Sequence, residues 1–475
     1  MSEILFQYHK VDPTTWVYLS SLLMIGLFFK FNRFWSVRNL DLVLLILLAP
    51  GLLMVNEALQ TGGSDREVVE AVAPAAESSP STQVLGLSSN RIMAYTGFLW
   101  LFAVSGVWLV RLLLDPTMVR RPLLEPNLTN GGLIFISVAL FLFLMANVMT
   151  SKLSADDLTG AKGAQALLKG QDTTNEKNKP EDYRRHGPGY YLLYALPSIP
   201  TSPFFRPSIA QPDKVFEITA KIMAILSHLA VVAALVTIGY WHFDNMRMGI
   251  GAATLYLMLP YTAQMTGHVD HVLPGALLLW AVVLYRRPAM AGIFLGLAIS
   301  VFYYPLFLLP LWISFYWQRG LARFLMGIGG AIAAMILSLV LVSKDLESFW
   351  LKFQPMFALW IPKTEGLGGI WDLGWDPWYR LPVIAGCGVL AGGLAIWPAH
   401  KNLGTLLSCS AAMMVGVQFW HGFGDGGGMY MAWFVPLLLM TVFRPNLEDR
   451  VALTVLGEGW FTKRRARLAQ FDRAA

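Results

Sequence analysis

Apolar runs long enough to cross hydrocarbon recur along the chain, separated by polar turns, and that length is the signature of a membrane helix rather than of a barrel strand. The first two runs cover residues 16–29 and 40–55, with Lys30, Arg33 and Arg38 between them. A polar segment, 56–91, carries Asp65, Glu67, Glu70 and Glu77 around a Pro/Ala/Ser-rich middle, a composition with too little apolar surface for a core of its own. The run 93–110 follows, then a turn with Arg111, Arg120 and Arg121, the punctuation of Pro122, Pro126 and Gly131, and the run 132–149. That run delivers the chain into a long polar stretch, 152–214. Beyond it lie runs at 216–240, 249–264, 272–285, 324–342, 381–397, 403–420 and 429–443. The segment 289–317, with Tyr303-Tyr304-Pro305 at its middle, is too long for one upright helix and short for two, and predicts two short helices meeting near one surface. The expected fold class is all-α, a polytopic transmembrane bundle of about 11–13 spans. No internal repeat is visible, and the broken segment at Pro305 lacks the mate that an inverted-repeat transporter requires.

Composition agrees with the pattern: 55% of residues are hydrophobic and 14% charged, against about a quarter charged in a soluble domain. The net charge of +6 sits in short turns and the C-terminal tail, so it reads as topology signal, and no nucleic-acid partner is expected. Counted span by span, every basic turn falls on one side, which assigns those turns and the tail with Lys463, Arg464, Arg465 and Arg467 to the cytoplasm and the 152–214 stretch to the extracytoplasmic face. Cys387 and Cys409 both lie in apolar runs and form neither a disulfide framework nor a metal-type cluster; no metal or cofactor is expected. The first fifteen residues lack the basic region of a cleavable signal, so the first run is expected to remain as an anchor. Three units result: an N-terminal three-helix module, 1–126; a core, 127–445, with its extracytoplasmic loop 151–215; and a basic tail, 446–475.

Candidate chemistry gathers in and around the long loop. Asp156 and Asp157 follow a span directly, where a carboxylate can serve as general base toward an acceptor hydroxyl, or can simply start the next helix by satisfying its orphan N–H groups. Residues 158–168 mix apolar and polar positions like a helix lying on the membrane interface, and Gly170 is placed to end it. In the stretch 183–191, Arg184, Arg185 and His186 beside Gly187 and Gly189 suit a phosphate or an ordinary solvated turn, and Tyr190, Tyr191 and Tyr194 are expected as headgroup-level anchors. Glu217, Lys221 and His228 share one helix face; Lys221 either meets a phosphate or pairs with Glu217, the latter being preferred. The turn with His268, Asp270 and His271 is a weak metal signal and a better lining for a phosphate or acceptor site. His421 and Asp425 stand in a glycine-rich turn that permits close ligand approach or is merely flexible. Trp371, Asp372, Trp375, Asp376 and Trp378 suit a sugar-facing surface and an interfacial belt equally.

The order of these elements carries a resemblance. A hydrophobic span, Asp156-Asp157, the helix "KGAQALLKGQD" and the Gly187-Pro188-Gly189-Tyr190-Tyr191 motif resemble the first extracytoplasmic loop of GT-C superfamily glycosyltransferases. The stretch "GHVDHVLPGALLLWAVVLYRRPAMAGIFLGLAISVFYYPLFLLPLW" is similar to the polyprenol-phosphate-sugar mannosyltransferase branch. The resemblance covers about residues 131–443, through motifs that are individually degenerate and moderately specific in order and spacing. It implies a GT-C-like core in a bacterial plasma membrane that performs an inverting transfer of a sugar, such as mannose, from a polyprenyl-phosphate donor to a lipid or glycan acceptor outside. It implies a catalytic base at Asp156 or Asp157, Asp156 being slightly preferred for lying nearer the span. Donor-phosphate contacts fall to Arg184, Arg185, His186, Lys221 and His268, and substrate contacts to Asp270, His271, Tyr190, Trp375 and His421. Two departures stand out: Phe302-Tyr303-Tyr304-Pro305 replaces a motif that is basic in many relatives, and the N-terminal module lies outside the resemblance. The reading from a different class is a non-catalytic transporter or envelope assembly protein.

Overall fold

A computed structural model describes residues 12–58, 80–118, 124–170, 186–204, 213–353, 367, 369–372, 375–421 and 430–445, excepting the side chains of 80–88, 201–204 and 372. Among these residues every regular element is helical. Six helices are long and apolar enough to cross a membrane: Val37–Ala58, Ser89–Thr117, Asn130–Thr150, Lys214–Trp241, Leu321–Val342 and Pro377–Ile396. Five shorter apolar helices accompany them among the described residues.

In chain order the helices needed below are α1 (Pro13–Phe28), α2 (Val37–Ala58), α3 (Pro80–Leu114), α4 (Asn130–Thr150), α5 (Thr159–Leu168), α6 (Pro188–Phe204), α7 (Lys214–Trp241) and α8 (Met246–Met258). The five-residue α9 (Pro260–Gln264) is followed by α10 (Val269–Val283), α11 (Pro288–Val301), α12 (Leu309–Tyr316) and α13 (Leu321–Val342). After α14 (Leu346–Phe353) come α15 (Arg380–Ile396), α16 (Leu403–Gln418) and α17 (Val435–Phe443). The expected single span at 249–264 is two helices, because Pro260 lacks the N–H that would continue α8 and instead opens α9. The segment 289–317 does break as its Pro305 suggests, into α11, a 3-10 turn Tyr304–Leu308 and α12.

Contacts gather the turns into two groups. One end holds Asp157, His186, Lys221, His268, Asp270 and His421; the other holds the basic turns at Lys30, Arg111, Arg247 and Arg444. The N-terminal helices are continuous with the rest. Trp16 stacks on Phe143, Phe28 meets Phe443 edge-on and Phe102 meets Phe419, and their rings belong to the same apolar core. Tight approaches between helices occur at small residues: a Cβ on Gly292 would strike the Phe324 carbonyl and one on Gly327 the Ala289 carbonyl, so α11 and α13 pack backbone to backbone.

The basic end is closed by buried charge. Arg111 grips Asp41 through two hydrogen bonds, at 2.8 and 2.9 Å, and reaches Asp115 Oδ1 at 2.9 Å, while Arg444 donates to Asp115 Oδ2 at 2.6 Å. Asp115 is fully buried, and it ties α3 to the residue that ends α17. Removing one member of such a set strands the others in a low-dielectric setting. Asp115→Ala is therefore expected to destabilise the protein by about 3–5 kcal/mol, read as a fall in unfolding midpoint in detergent, whereas Asp12→Ala, at the exposed cap of α1, is expected to lose about 1 kcal/mol.

Candidate functional site

The site begins with a local device. Ser154-Ala155-Asp156-Asp157 has the spacing of a capping box, and the structure forms one: Ser154 N–H donates to Asp157 Oδ2 at 3.0 Å and Asp157 N–H donates to Ser154 Oγ at 3.3 Å. The Ser154 hydroxyl adds a bond to the same Oδ2 at 2.7 Å. This starts the 3-10 turn Asp156–Leu158 that leads into α5, so the helix-starting reading of the aspartates is realised. Asp157 does something further with its other oxygen. His268 Nδ1 lies 2.7 Å from Asp157 Oδ1, and because a carboxylate only accepts, the ring nitrogen carries the proton and donates. Asp156 is exposed at the start of the turn.

His268 stands at the N-cap of α10, with its backbone N–H bonded to the Met265 carbonyl. One turn on, Asp270 accepts the His271 backbone N–H at 3.1 Å and lies 3.7 Å from His186 Nε2. Burial acts to raise the Asp270 carboxyl, but His271, His186 and His268 outweigh it and hold it below the usual carboxylate range. The carbonyl of Asp270 accepts the indole N–H of Trp433 at 3.0 Å. Gly275 permits that approach, since a Cβ there would collide with the Ala432 carbonyl.

Beneath these groups lies a buried stack of rings drawn from five segments. His271 shares a 2.6 Å hydrogen bond with the Tyr261 hydroxyl and stacks on Tyr430, which stacks in turn on His421. His421 lies against Tyr304 and bonds its hydroxyl at 2.5 Å, and Trp433 stacks on both Tyr430 and His421. His186 stacks on Tyr190 and meets Phe302 edge-on. The Phe302–Pro305 motif thus contributes aromatic packing, with Phe302 5% and Tyr304 4% exposed.

Several expectations change. The tyrosines expected as headgroup anchors are buried: Tyr190, Tyr191 and Tyr194 pack on the face of α5 that carries Gly160, Ala161, Gly163 and Ala164. A helix with only glycine and alanine along one face lets three phenol rings sit against its backbone, so α5 docks on protein through that face. Gly187 and Gly189 do give close approach, and it is to the end of α11. Gly187 donates its N–H to the Val301 carbonyl at 2.8 Å, and a Cβ at either glycine would overlap Ser300. Gly170 ends the α5 segment as expected, at a positive φ of 59°. Lys221 pairs with Glu217 at 2.7 Å and also donates to the Met149 carbonyl at 2.9 Å, which pins α7 to the end of α4. His228 is buried between the Tyr256 hydroxyl and the Thr266 carbonyl. Trp375 is exposed and stacks on Tyr95 of α3, apart from the ring stack. Arg184, Arg185, Asp425 and the tail lie outside the described residues.

The structure therefore brings together Asp157, His268, Asp270, His271, His186, Tyr190 and His421 among the sequence candidates. Phe302 and Tyr304, noted in the sequence as a departure from the resemblance, join them, and Ser154, Tyr261, Tyr430 and Trp433 join unannounced. Ser154 had a signal, the Ser-x-x-Asp spacing; the rings of Tyr261, Tyr430 and Trp433 had none, since their meeting depends on distant segments. Among the described residues no group of three or more His, Cys, Asp or Glu side chains is arranged to hold a metal ion. No protein-family model matches the chain, and no curated protein matches it either.

The glycine contacts make a stability test. Gly163→Ala and Gly189→Ala, whose Cβ atoms would overlap Tyr191 and Ser300, are each expected to destabilise by about 1–3 kcal/mol. Gly386→Ala on α15, where nothing lies within 4 Å, is expected to be neutral or to stabilise by up to about 1 kcal/mol. Unfolding midpoints of the three variants in one detergent decide the matter.

Proposed function

We propose that the chain is an integral membrane glycosyltransferase that moves a sugar, mannose being the first candidate, from a polyprenyl-phosphate donor to a hydroxyl of a lipid or glycan acceptor. The observation that carries this reading is the Asp157–His268 pair, closed across 111 residues of sequence at one end of an apolar helical body. Attack of a hydroxyl on an anomeric carbon needs a proton acceptor within hydrogen-bond reach of the attacking oxygen, and a carboxylate–imidazole pair is a group of that kind. The donor supplies a phosphate as leaving group, so no redox step or carrier beyond the lipid is needed. A polyprenyl chain is soluble only in the bilayer, and six helices long enough to cross one suit an enzyme that receives its donor laterally.

The same reading assigns the site to the extracytoplasmic face. Basic turns collect at the opposite end, and such turns are retained on the cytoplasmic side. It extends the GT-C-like core over α4 to α17 and gives the remaining candidates their roles. Arg184, Arg185, His186 and Lys221 are donor-phosphate contacts, and Asp270, His271 and His421 shape the acceptor side. Lys221 would meet a phosphate only in exchange for its Glu217 partner. A transporter would need ionisable groups along a path between the faces. The deep candidate, His228, is instead closed between Tyr256 and the Thr266 carbonyl.

Membranes containing the chain, incubated with polyprenyl-phosphate [14C]mannose, test the proposal by transfer of label to endogenous lipid and glycan. Asp157→Asn is expected to lower turnover by about 10²-fold or more, and Asp156→Asn by no more than a few-fold. Undiminished transfer by the double variant would sink the assignment of the pair.

A further inference from the structure

We infer that the basic end carries a binding site for an anionic phospholipid, whose phosphate is held by Arg286, Arg287 and Arg323 and whose acyl chains lie along the first turns of α11 and α13. The inference is independent of sugar transfer and rests only on the helical body lying in a bilayer.

Contacts bring three turns together there. Arg247 ties the turn after α7 to the carbonyls of Pro126 and Leu128, and in the same turn His242 Nε2 donates to the Val283 carbonyl at 2.8 Å. The turn after α10 therefore stands beside it. The Tyr316 hydroxyl donates to the Tyr285 carbonyl at 2.6 Å, and a Cβ on Gly320 would come within 3.0 Å of Pro288, so the turn before α13 joins them. Arg286 and Arg287 lie on the turn after α10, and Arg323 lies in the first turn of α13. All three residues are exposed.

Charge on this face is unbalanced. Among the described residues no carboxylate forms an ion pair with any of the three arginines. The Arg286 guanidinium instead lies 5.8 Å from the centroid of the Tyr285 ring, and its Nε donates to the Tyr285 hydroxyl at 3.3 Å. Asp244 is the one carboxylate among the described residues of these turns, against Arg286, Arg287, Arg319 and Arg323. Both α11 and α13 begin here without a side-chain cap, so their positive ends add to the attraction for an anion.

The neighbours of the arginines point to a lipid. Met290 follows Arg287 by three residues and Met326 follows Arg323 by three, so each cation has an exposed methionine one turn further into the span on its own side of the helix. The two stripes border one packing seam, since a Cβ on Gly292 would meet the Phe324 carbonyl and one on Gly327 the Ala289 carbonyl. A ligand that matches both is charged at one end and apolar at the other. Trp241 and Trp317, exposed by 56% and 67%, stand at the same turns, and indoles favour the depth of the headgroups. Basic surfaces between helices at the cytoplasmic side of a membrane bind headgroups of this charge.

Full-length protein purified in a neutral detergent, titrated with dioleoyl-phosphatidylglycerol or dioleoyl-phosphatidylcholine and read by native mass spectrometry, tests the site. Phosphatidylglycerol is expected to bind about 10²-fold more tightly, each of the three arginines supplying about fivefold. Arg286→Gln, Arg287→Gln and Arg323→Gln are each expected to lower the preference by about that factor, and the triple variant to abolish it. Arg287→Lys and Arg323→Lys, which keep the charge, are expected to retain most of it. Arg33→Gln, which removes an exposed cation from the turn after α1, is expected to leave it unchanged. Equal binding of the two lipids, a triple variant that keeps the preference, or an equal loss in Arg33→Gln overturns the inference. Displacement of phosphatidylglycerol by glycerol 3-phosphate at equal concentration would assign the arginines to a free phosphate and overturn it as well. Sugar transfer enters none of these readings, so failure of the transferase proposal leaves the outcome standing.

Discussion

A polar atom enclosed by apolar side chains must find its partner inside the chain, and that constraint organises both ends of this molecule. At the basic end it is met by Asp41, Arg111, Asp115 and Arg444, two cations and two anions contributed by α2, by α3 and the turn that follows it, and by the residue that ends α17. Asn127 adds to it by bonding Lys30 at 2.6 Å and the carbonyls of Gly26 and Phe29 at 3.0 and 3.2 Å, which satisfies the end of α1. Arg247 does the same for the carbonyls of Pro126 and Leu128. The N-terminal helices are therefore held to the later ones by charge as well as by packing. The boundary placed near residue 126 falls inside a turn whose Glu125, Pro126 and Leu128 carbonyls accept hydrogen bonds from Arg38 and Arg247.

At the other end the same constraint yields something chemically different. The polar atoms there are matched by pairs of unequal exposure. Asp157 is shielded and His268 is half-open, and the Asp270 carboxylate is shared between a backbone N–H and an imidazole. Such pairs hold a titratable ring in one orientation. The clamp satisfies charge by enclosing it, and the site by directing it.

Small residues set how near these groups come. The glycine face of α5 admits three tyrosines, which brings the loop that ends in Asp157 against α6, and Gly187 and Gly189 seat the start of α6 on the end of α11. Gly275 seats the Met431–Trp433 turn on α10, and from there Trp433 reaches Asp270. Helix packing thus positions His186, His268 and the ring stack relative to one another. Larger side chains at these glycines would displace those groups by way of the backbone.

What the sequence determined by itself was local and periodic. Apolar runs of the right length announced the helices, Pro305 the break between α11 and α12, Gly170 the end of the α5 segment, and four-residue spacing the Glu217–Lys221 pair. Each depends on residues within a turn or two of one another. The aspartates and the turn at His268 were also legible as candidates, because ionisable groups at the mouth of an apolar body are conspicuous. The contact of Asp157 with His268, the burial of Tyr190, Tyr191 and Tyr194, and the meeting of His271, His421, Tyr304, Tyr430 and Trp433 were decided only by tertiary structure. The physical reason is that adjacent aspartates have nearly the same local surroundings. Which of them faces a histidine 111 residues away is set only once the helices have packed.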